Sequence, residues 1–269
     1  MNAGAARIAA AFADAPGRAA LMPYLMGGFP DVETSRRIAE AYADGGADLI
    51  ELGIPFSDPL ADGPVIQAAG TRALAAGTTT EQVLGVARAV SPRIPVVLMT
   101  YANTVLATGY EAFAQRIAEH GVSGLIIPDL PLEEAPEARA ACDRAGVALV
   151  PLVAPTSPEE RLERIGAGAS GFLYAVSVTG TTGERASLPE LYAQTIAQAR
   201  RHTAVPVALG FGIAEPAQAL AAAEAGADGV IVGSRLVRAV AEAADAGEDP
   251  AEAARALVAA FAAALRAGA

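Results

Sequence analysis

One short pattern recurs four times along the chain: glycine and other small residues, followed directly by an unbroken apolar run. The copies occupy residues 45–51, 121–127, 168–174 and 226–232. A glycine often ends a helix, and an apolar run without alternation is typical of a strand covered on both faces, as in a parallel sheet. The pattern therefore predicts repeated helix-to-strand steps and restricts the chain to an α/β fold.

The spacing of further apolar runs extends this pattern to the whole chain. Most are separated by helical patterns of roughly 10 to 15 residues, and together they predict eight strands and at least eight helices. Such an order is typical of a (β/α)8 TIM barrel. We also predict an extra N-terminal helix at about Ala3 to Phe12 and a short extra helix that begins at Ser234, after the eighth strand. The predicted strands are 21–26, 49–53, 94–99, 124–128, 148–152, 172–176, 207–210 and 229–232.

A doubly wound open sheet is the alternative fold. It would have fewer strands and a Gly-x-Gly-x-x-Gly turn after the first one, and Gly27-Gly28 does not continue into that motif. The chain has 269 residues, and TIM barrels of about 250 residues commonly form one domain. No stretch has the composition of a linker, so we predict a single domain over residues 1–269.

The composition excludes several classes of function. A net charge of −11 would repel the phosphate backbone of nucleic acids. The chain has no lysine to form a Schiff base, and its two histidines are too few for a histidine-rich metal site. Cys142 is the only cysteine, so neither an intramolecular disulfide nor a thiolate cluster can form. Without a long apolar run or a signal-peptide pattern, we expect a cytoplasmic protein.

The stretch from Glu51 to Gly63 is the predicted catalytic centre. Three carboxylates, Glu51, Asp58 and Asp62, follow one another within it, and Glu51 lies on an apolar strand. Burying an unpaired charge is costly, so Glu51 must be paired, protonated or active in chemistry. The alternative for Asp58 and Asp62 is that they only cap turns.

In a TIM barrel the chemistry takes place at the carboxyl ends of the strands. Strand six carries Tyr174, and strands seven and eight end in Gly210-Phe211-Gly212 and Gly233-Ser234. Glycines and a helix N-terminus can bind a phosphate through backbone N–H groups, although glycine turns and a serine cap occur in any barrel. The hydroxyl-rich segment 177–187 resembles a closing lid, but it could be an ordinary exposed connection.

At these residues the sequence resembles the tryptophan synthase alpha chain family. The resemblance covers most of the chain, and its most specific motif is Glu51-Leu-Gly-Ile-Pro-Phe-Ser-Asp-Pro-Leu-Ala-Asp-Gly-Pro64. It continues through Met99-Thr-Tyr-Ala-Asn103, Pro128-Asp-Leu-Pro131, Thr182-Gly183, Gly210-Phe-Gly212 and Val232-Gly-Ser234. The resemblance implies a lyase that cleaves indole-3-glycerol phosphate to indole and glyceraldehyde 3-phosphate by a retro-aldol reaction.

The resemblance also implies a role for each site residue. Glu51, Asp62 and Tyr174 would be catalytic, and Thr182 would belong to the lid. The phosphate would be bound by Gly183, Phe211, Gly212, Gly233 and Ser234. The indole pocket would be walled by Tyr24, Met99 and Leu125 to Ile127, although each of these could equally be a plain core residue. The first-strand segment from Tyr24 to Pro30 and the lid residues Val178 and Thr181 depart from the versions associated with the best-known members.

Family members usually work with a beta chain that carries pyridoxal phosphate, so the resemblance implies an alpha2beta2 complex and no cofactor in this chain. The expected contact loops are Pro55 to Asp58, Asn103 to Gly109 and Asp129 to Pro131. Alternatives are a phosphosugar isomerase or epimerase, a stand-alone indole-3-glycerol phosphate lyase, and a non-catalytic partner chain that only activates a beta chain.

Overall fold

The chain forms an α/β barrel in a computed structural model that describes residues 1–15, 17–176, 188–210 and 212–268. The strands of the described residues are β1 (Ala20–Met26), β2 (Ile50–Gly53), β3 (Val96–Met99), β4 (Val122–Ile126), β5 (Ala148–Leu149), β6 (Leu152–Val153), β7 (Leu173–Val176), β8 (Val207–Gly210) and β9 (Gly229–Val232). The helices are α1 (Ala3–Ala13), α2 (Val32–Asp44), α3 (Pro64–Ala75), α4 (Thr80–Val90), α5 (Ala102–Leu106), α6 (Tyr110–Glu119), α7 (Ala135–Ala145), α8 (Glu159–Ala167), α9 (Leu188–Arg200), α10 (Pro216–Glu224), α11 (Ser234–Ala246) and α12 (Pro250–Ala267).

All strands of the sheet are parallel, in the order β5-β4-β3-β2-β1-β9-β8-β7-β6. The two ends of this order, β5 and β6, are halves of one stretch. Val150 N–H donates to Leu125 O (2.9 Å), and Tyr174 N–H donates to Pro151 O (3.0 Å), so the stretch bridges β4 and β7. Pro151 has no N–H and interrupts the ladder, which splits the fifth strand in two. The barrel therefore closes with eight strand positions, as the sequence predicts.

The extra N-terminal helix is confirmed as α1. Asn2 caps it by accepting a hydrogen bond from Ala5 N–H. Ile8 is fully buried among the side chains that fill the barrel interior, and the Phe12 ring lies 5.8 Å from that of Phe172. Because Gly4 N–H donates to Gly146 O, just before β5, α1 closes the amino end of the barrel.

The helix that begins at Ser234 is α11, and at 13 residues it is not as short as the sequence suggests. A buried stripe that includes Leu236, Val237 and Val240 continues it, and Gly247 in the left-handed conformation ends it. α12 follows and packs against α2, α10 and α11, which makes α11 the additional helix of the barrel.

Other predicted boundaries shift by a few residues. Asp31 caps α2 by accepting from Thr34 N–H at 2.8 Å, and Thr79 caps α4. The short helix α5 was not predicted. Within the described ranges, no helix is long and apolar enough to cross a membrane.

Two aspartates of the recurring pattern join neighbouring strands at the amino end of the barrel. Asp48, before β2, accepts from Leu21 N–H (2.8 Å) and from both terminal nitrogens of Arg18 (2.7 and 2.8 Å). Asp228, before β9, accepts from Val207 N–H (2.8 Å) and forms an ion pair with Arg200. In these two copies the recurring pattern therefore supplies an aspartate that hydrogen-bonds to a neighbouring strand, as well as the start of a strand.

Candidate active site

A cavity of about 270 Å³ opens at the carboxyl ends of the strands. It lies on the face where a TIM barrel performs chemistry. Residues from β1, β2, β3 and β7 line one part, and residues that follow β8 and β9 line the other. Eight of the predicted site residues line this cavity: Tyr24, Glu51, Asp62, Met99, Tyr174, Gly212, Gly233 and Ser234.

Glu51 is a buried acid without a complete set of partners. It lies in β2, only 1% of it is exposed, and its Oε2 atom has no hydrogen-bond partner among the residues that the structure describes. Burial, and secondarily the charge of Asp62, raises the pKa of Glu51 from 4.5 to about 8. The side chain is therefore a neutral carboxylic acid at pH 7, with an oxygen available to a ligand.

Asp62 lies in the loop between β2 and α3 and lines the same cavity. Burial raises its pKa from 3.8 to about 6, and a hydrogen bond with the Tyr101 hydroxyl opposes the rise. At pH 7 Asp62 is therefore mostly ionised while Glu51 is protonated. Two carboxyl groups whose environments separate their pKa values in this way can divide the roles of base and acid.

Tyr101 positions Asp62, and sequence reasoning gave it no role. Its hydroxyl accepts a hydrogen bond from Ala61 N–H (3.1 Å), and its ring stacks on Phe56 with centroids 5.2 Å apart. These contacts hold the loop that carries Asp62 against the start of α5. The only signal in the sequence was its place directly after the third strand.

Two tyrosine hydroxyls reach over glycines of neighbouring strands. Tyr24 pairs with Glu51 in the β1–β2 register, and its hydroxyl lies over Gly53. The Tyr174 hydroxyl lies over Gly210 in the same way, across β7 and β8. A Cβ atom at either glycine would overlap the phenol oxygen. Burial, together with the carboxylates, raises both tyrosine pKa values well above 10, so both phenols remain protonated donors.

The other part of the cavity suits an anion. Gly212 has a φ of +82°, which favours glycine, and Gly233 precedes the exposed Ser234 at the start of α11. The N-cap residue of α11 is Gly233, which has no side chain to cap the first turn, so the N–H groups of that turn can serve a ligand. Arg235 and Arg238 also line this part, and sequence reasoning did not single them out.

The predicted wall range from Leu125 to Ile127 places side chains on both faces of the sheet. Ile127 packs between the strands and the helices, not among the described residues that line the cavity. Its neighbour Ile126 belongs to the barrel interior together with Met99 and Tyr174. Successive side chains of a strand point to opposite faces, so within the predicted range from Leu125 to Ile127 it is Ile126 that faces the barrel interior. Three further predicted residues, Thr182, Gly183 and Phe211, and the predicted lid 177–187 lie outside the described residues.

The predicted contact loops lie together at one rim of this face. Ser57, Asp58, Asn103, Asp129 and Pro131 are exposed, and Asp129 accepts from Ala102 N–H at 2.8 Å, which joins two of the loops.

Two residues of the loop from Pro55 to Asp58 are less exposed than Ser57 and Asp58. Phe56 is half-buried and Pro55 is buried, so the exposed part of this loop begins at Ser57. Leu60 and Leu106 lie in or beside the loops and are 90% and 53% exposed.

The described residues contain no group of three or more His, Cys, Asp or Glu side chains that could hold a metal ion. Cys142 is buried in α7, where burial raises the pKa of its thiol to about 12. His120 ends α6, and its Nδ1 atom lies 2.8 Å from Arg116 O, a structural position away from the cavity.

Comparison with known proteins gives one consistent result. A family model described as tryptophan synthase alpha chain matches residues 11–266. The tryptophan synthase alpha chain of Rippkaea orientalis is 49% identical over 225 residues, which cover 83% of this chain and 84% of that protein.

Solved structures give the same result. A crystal structure of the tryptophan synthase alpha chain from Legionella pneumophila superposes with a TM-score of 0.88 at 38% identity, covering 99% of this chain and 98% of that one. A chain of tryptophan synthase from Mycobacterium tuberculosis superposes with a TM-score of 0.87 at 39% identity, covering 97% and 98%.

Proposed function

The chain belongs to the tryptophan synthase alpha chain family, and from that premise we propose that Glu51 and Asp62 divide the proton chemistry of its reaction. It is a lyase of amino-acid biosynthesis that catalyses the alpha reaction, the retro-aldol cleavage of indole-3-glycerol phosphate to indole and glyceraldehyde 3-phosphate. The single observation that carries the proposal is the pair of carboxyl groups in one cavity, one neutral and one ionised at pH 7.

Glu51 acts as the acid and then as the base. The bond between indole C3 and the glycerol chain can break once C3 accepts a proton, because the ring then becomes an iminium electron sink. Protonated Glu51 supplies that proton, and the resulting carboxylate removes the proton of the adjacent chain hydroxyl. The electron pair of the broken bond returns to the ring, an aldehyde forms, and Glu51 ends the cycle protonated.

Asp62 stabilises the charge that develops on the ring. As C3 is protonated, positive charge appears on N1 of the indole, and an ionised Asp62 accepts the N1–H hydrogen bond. The hydrogen bond with Tyr101 favours the ionised form of Asp62 and fixes the carboxylate in place. Tyr101 therefore acts on the reaction through Asp62 and is a positioning residue.

The remaining cavity residues bind and orient the substrate. The buried Tyr174 hydroxyl orients the glycerol portion, and Tyr24 and Met99 form walls of the indole site. Ile231, which lines the cavity, is a further wall residue, and we keep Leu125 to Ile127 as the proposed wall on the fourth strand. We assign the phosphate to Gly212, Gly233 and Ser234, and by family membership to Gly183 and Phe211, with Thr182 in the lid.

The same premise extends to cofactor and partner. The alpha chain family does not itself bind pyridoxal phosphate, and we propose that this chain works without a cofactor of its own, as a single domain over residues 1–269 in the cytoplasm. We further propose an alpha2beta2 complex with a beta chain that carries pyridoxal phosphate. The rim formed by Phe56 to Asp58, Asn103 and Asp129 to Pro131 supports this docking site, because exposed Leu60 and Leu106 offer it apolar area.

Indole release by Glu51→Gln and Asp62→Asn tests the assignment. The chain contains no tryptophan, so indole fluorescence reports the ligand alone. Wild type should release indole from indole-3-glycerol phosphate, and both variants should bind the substrate without releasing indole at a comparable rate. Undiminished release by Glu51→Gln would refute the acid–base role, and no release by wild type, with or without a beta chain, would leave a non-catalytic partner chain.

A further inference from the structure

We propose that Arg235 and Arg238 bind the substrate phosphate through their guanidinium groups and select substrates that end in a dianion. The inference rests on the proposed function, because it takes the part of the cavity beside α11 as the phosphate site. It adds charged side chains to a site whose other described residues offer an anion backbone N–H groups and the Ser234 hydroxyl.

Arg235 and Arg238 lie where they can reach a phosphate in the cavity. Arg235 and Arg238 line the same cavity as Glu51 and Asp62, and they are the only cations in its described lining. They stand three residues apart, so they project from one face of α11, directly beyond Ser234. Arg235 is half-buried and Arg238 is exposed, and Arg238 also lines a neighbouring cavity beside Phe29.

The absence of ion pairs is the second argument. The chain has 30 acidic residues and 19 arginines, so a free guanidinium can readily find a carboxylate. Within the described ranges, Arg235, Arg238 and Arg266 are the only arginines that form neither a hydrogen bond nor an ion pair. Two of these three line one cavity, so their charges remain available to a ligand.

Charge balance is the third argument. A phosphate that enters this cavity approaches ionised Asp62 in a chain of net charge −11. Two guanidinium groups offset this repulsion, and their planar donors match phosphate oxygens in bidentate geometry. The buried Glu51 Oε2 atom, which has no partner, independently indicates that the cavity is built for a polar ligand.

Substitution of each arginine by glutamine provides the kinetic test. Arg235→Gln and Arg238→Gln should each raise the KM for indole-3-glycerol phosphate about tenfold, and the double variant more, because a charge-assisted hydrogen bond is lost. The kcat should stay within about twofold, because neither arginine touches the reacting carbon. Arg235→Lys keeps the charge and should recover part of the affinity.

Arg266→Gln is the matched control. Arg266 also has no ion-pair partner, but it lies at the end of α12 beside Gly46, which precedes β2 at the amino end of the barrel. This variant removes the same charge and should leave KM unchanged. An equal rise in KM for Arg266→Gln would show that net charge alone is responsible and would overturn the inference.

Direct binding separates this inference from the proposed function. Calorimetry with glycerol 3-phosphate should give a dissociation constant about tenfold weaker in Arg235→Gln than in wild type, while indole binding, followed by its fluorescence, should not change. Unchanged glycerol 3-phosphate binding, or equal weakening for indole, would overturn the inference even if wild type cleaves the substrate. If wild type cleaves nothing, the proposed function fails, and the binding result still decides the role of the arginines.

Discussion

The two ends of the barrel differ in how completely their charged side chains are paired. At the amino end, Asp48 forms two hydrogen bonds to Arg18 and one to a backbone N–H, and Asp228 combines an ion pair with another strand N–H. At the carboxyl end, one oxygen of Glu51 has no partner, and the two arginines of the cavity have no ion pair among the described residues.

The difference separates structural charges from functional ones. A carboxylate whose oxygens are hydrogen-bonded within the protein joins two strands, and it has no free oxygen to accept a hydrogen bond from a ligand. A buried, incompletely satisfied acid costs folding free energy and persists where a ligand uses it. Residue type alone does not separate structural from functional charges, because aspartate and arginine occur at both ends of the barrel.

The strongest test of this difference is Glu51→Gln. The rate of indole release should fall about a thousandfold, because the amide cannot transfer a proton. Its stability should not fall, because the amide resembles the neutral acid that the fold prefers. The fold raises the pKa of Glu51, so wild-type stability should decline as pH rises from about 4.5 to about 8, and the variant should lack this component. Urea denaturation at several pH values measures it.

Asp48→Asn, at the amino end of the barrel, should have the opposite effect to Glu51→Gln: it should lower stability and leave activity unchanged. It removes the charge from a pair whose side chains are only 13% and 14% exposed, so the free energy of unfolding should fall by about 3 kcal/mol. The kcat and KM should remain near wild type, because the change lies at the opposite end of the barrel. A loss of activity in folded protein would mean that the two ends are not independent.

Gly210→Ala sharpens the comparison at the carboxyl end. The added Cβ would overlap the Tyr174 hydroxyl, and displacing that phenol by about 1 Å should reduce kcat/KM about a hundredfold. Gly85→Ala is the matched control: its Cβ meets nothing within 4 Å in the middle of α4. The control should keep full activity and gain about 0.5–1 kcal/mol of stability from helix propensity.

The smallest expected effect is that of Tyr101→Phe. Without the phenol the pKa of Asp62 should rise above about 6, because the Tyr101 hydrogen bond lowers it. Less Asp62 is then ionised at pH 7, so kcat/KM should fall roughly two- to tenfold, and the acid limb of its pH profile should move to higher pH. Tyr192→Phe, which removes a buried hydroxyl without a hydrogen-bond partner, should leave the profile in place.

Much of the fold and the chemical centre could be predicted from local signals. The recurring glycine and apolar run predicted the barrel, and an acid on an apolar strand identified Glu51. The first signal depends only on residues that are neighbours along the chain, and the second depends only on the free-energy cost of burying one charge. A sequence contains both kinds of information.

The features that were missed depend on register and on distant neighbours. Within the predicted range from Leu125 to Ile127, Ile126 faces the barrel interior while Leu125 and Ile127 pack against the helices, and only the register of the strand decides this. The contact of Tyr101 with Asp62 joins loops that follow different strands, and whether Arg235 has an ion-pair partner depends on every acid that folds near it. No local spacing contains that information.

The protonation state of Glu51 tests the central claim most directly. Infrared difference spectra of wild type minus Glu51→Gln should show the carbonyl band of a neutral carboxylic acid at pH 7, lost on titration with a midpoint near 8. This result would establish a buried acid held neutral for proton delivery. A spectrum with only the ionised carboxylate bands from pH 6 upward would contradict the account, because Glu51 would then resemble the paired carboxylates at the amino end.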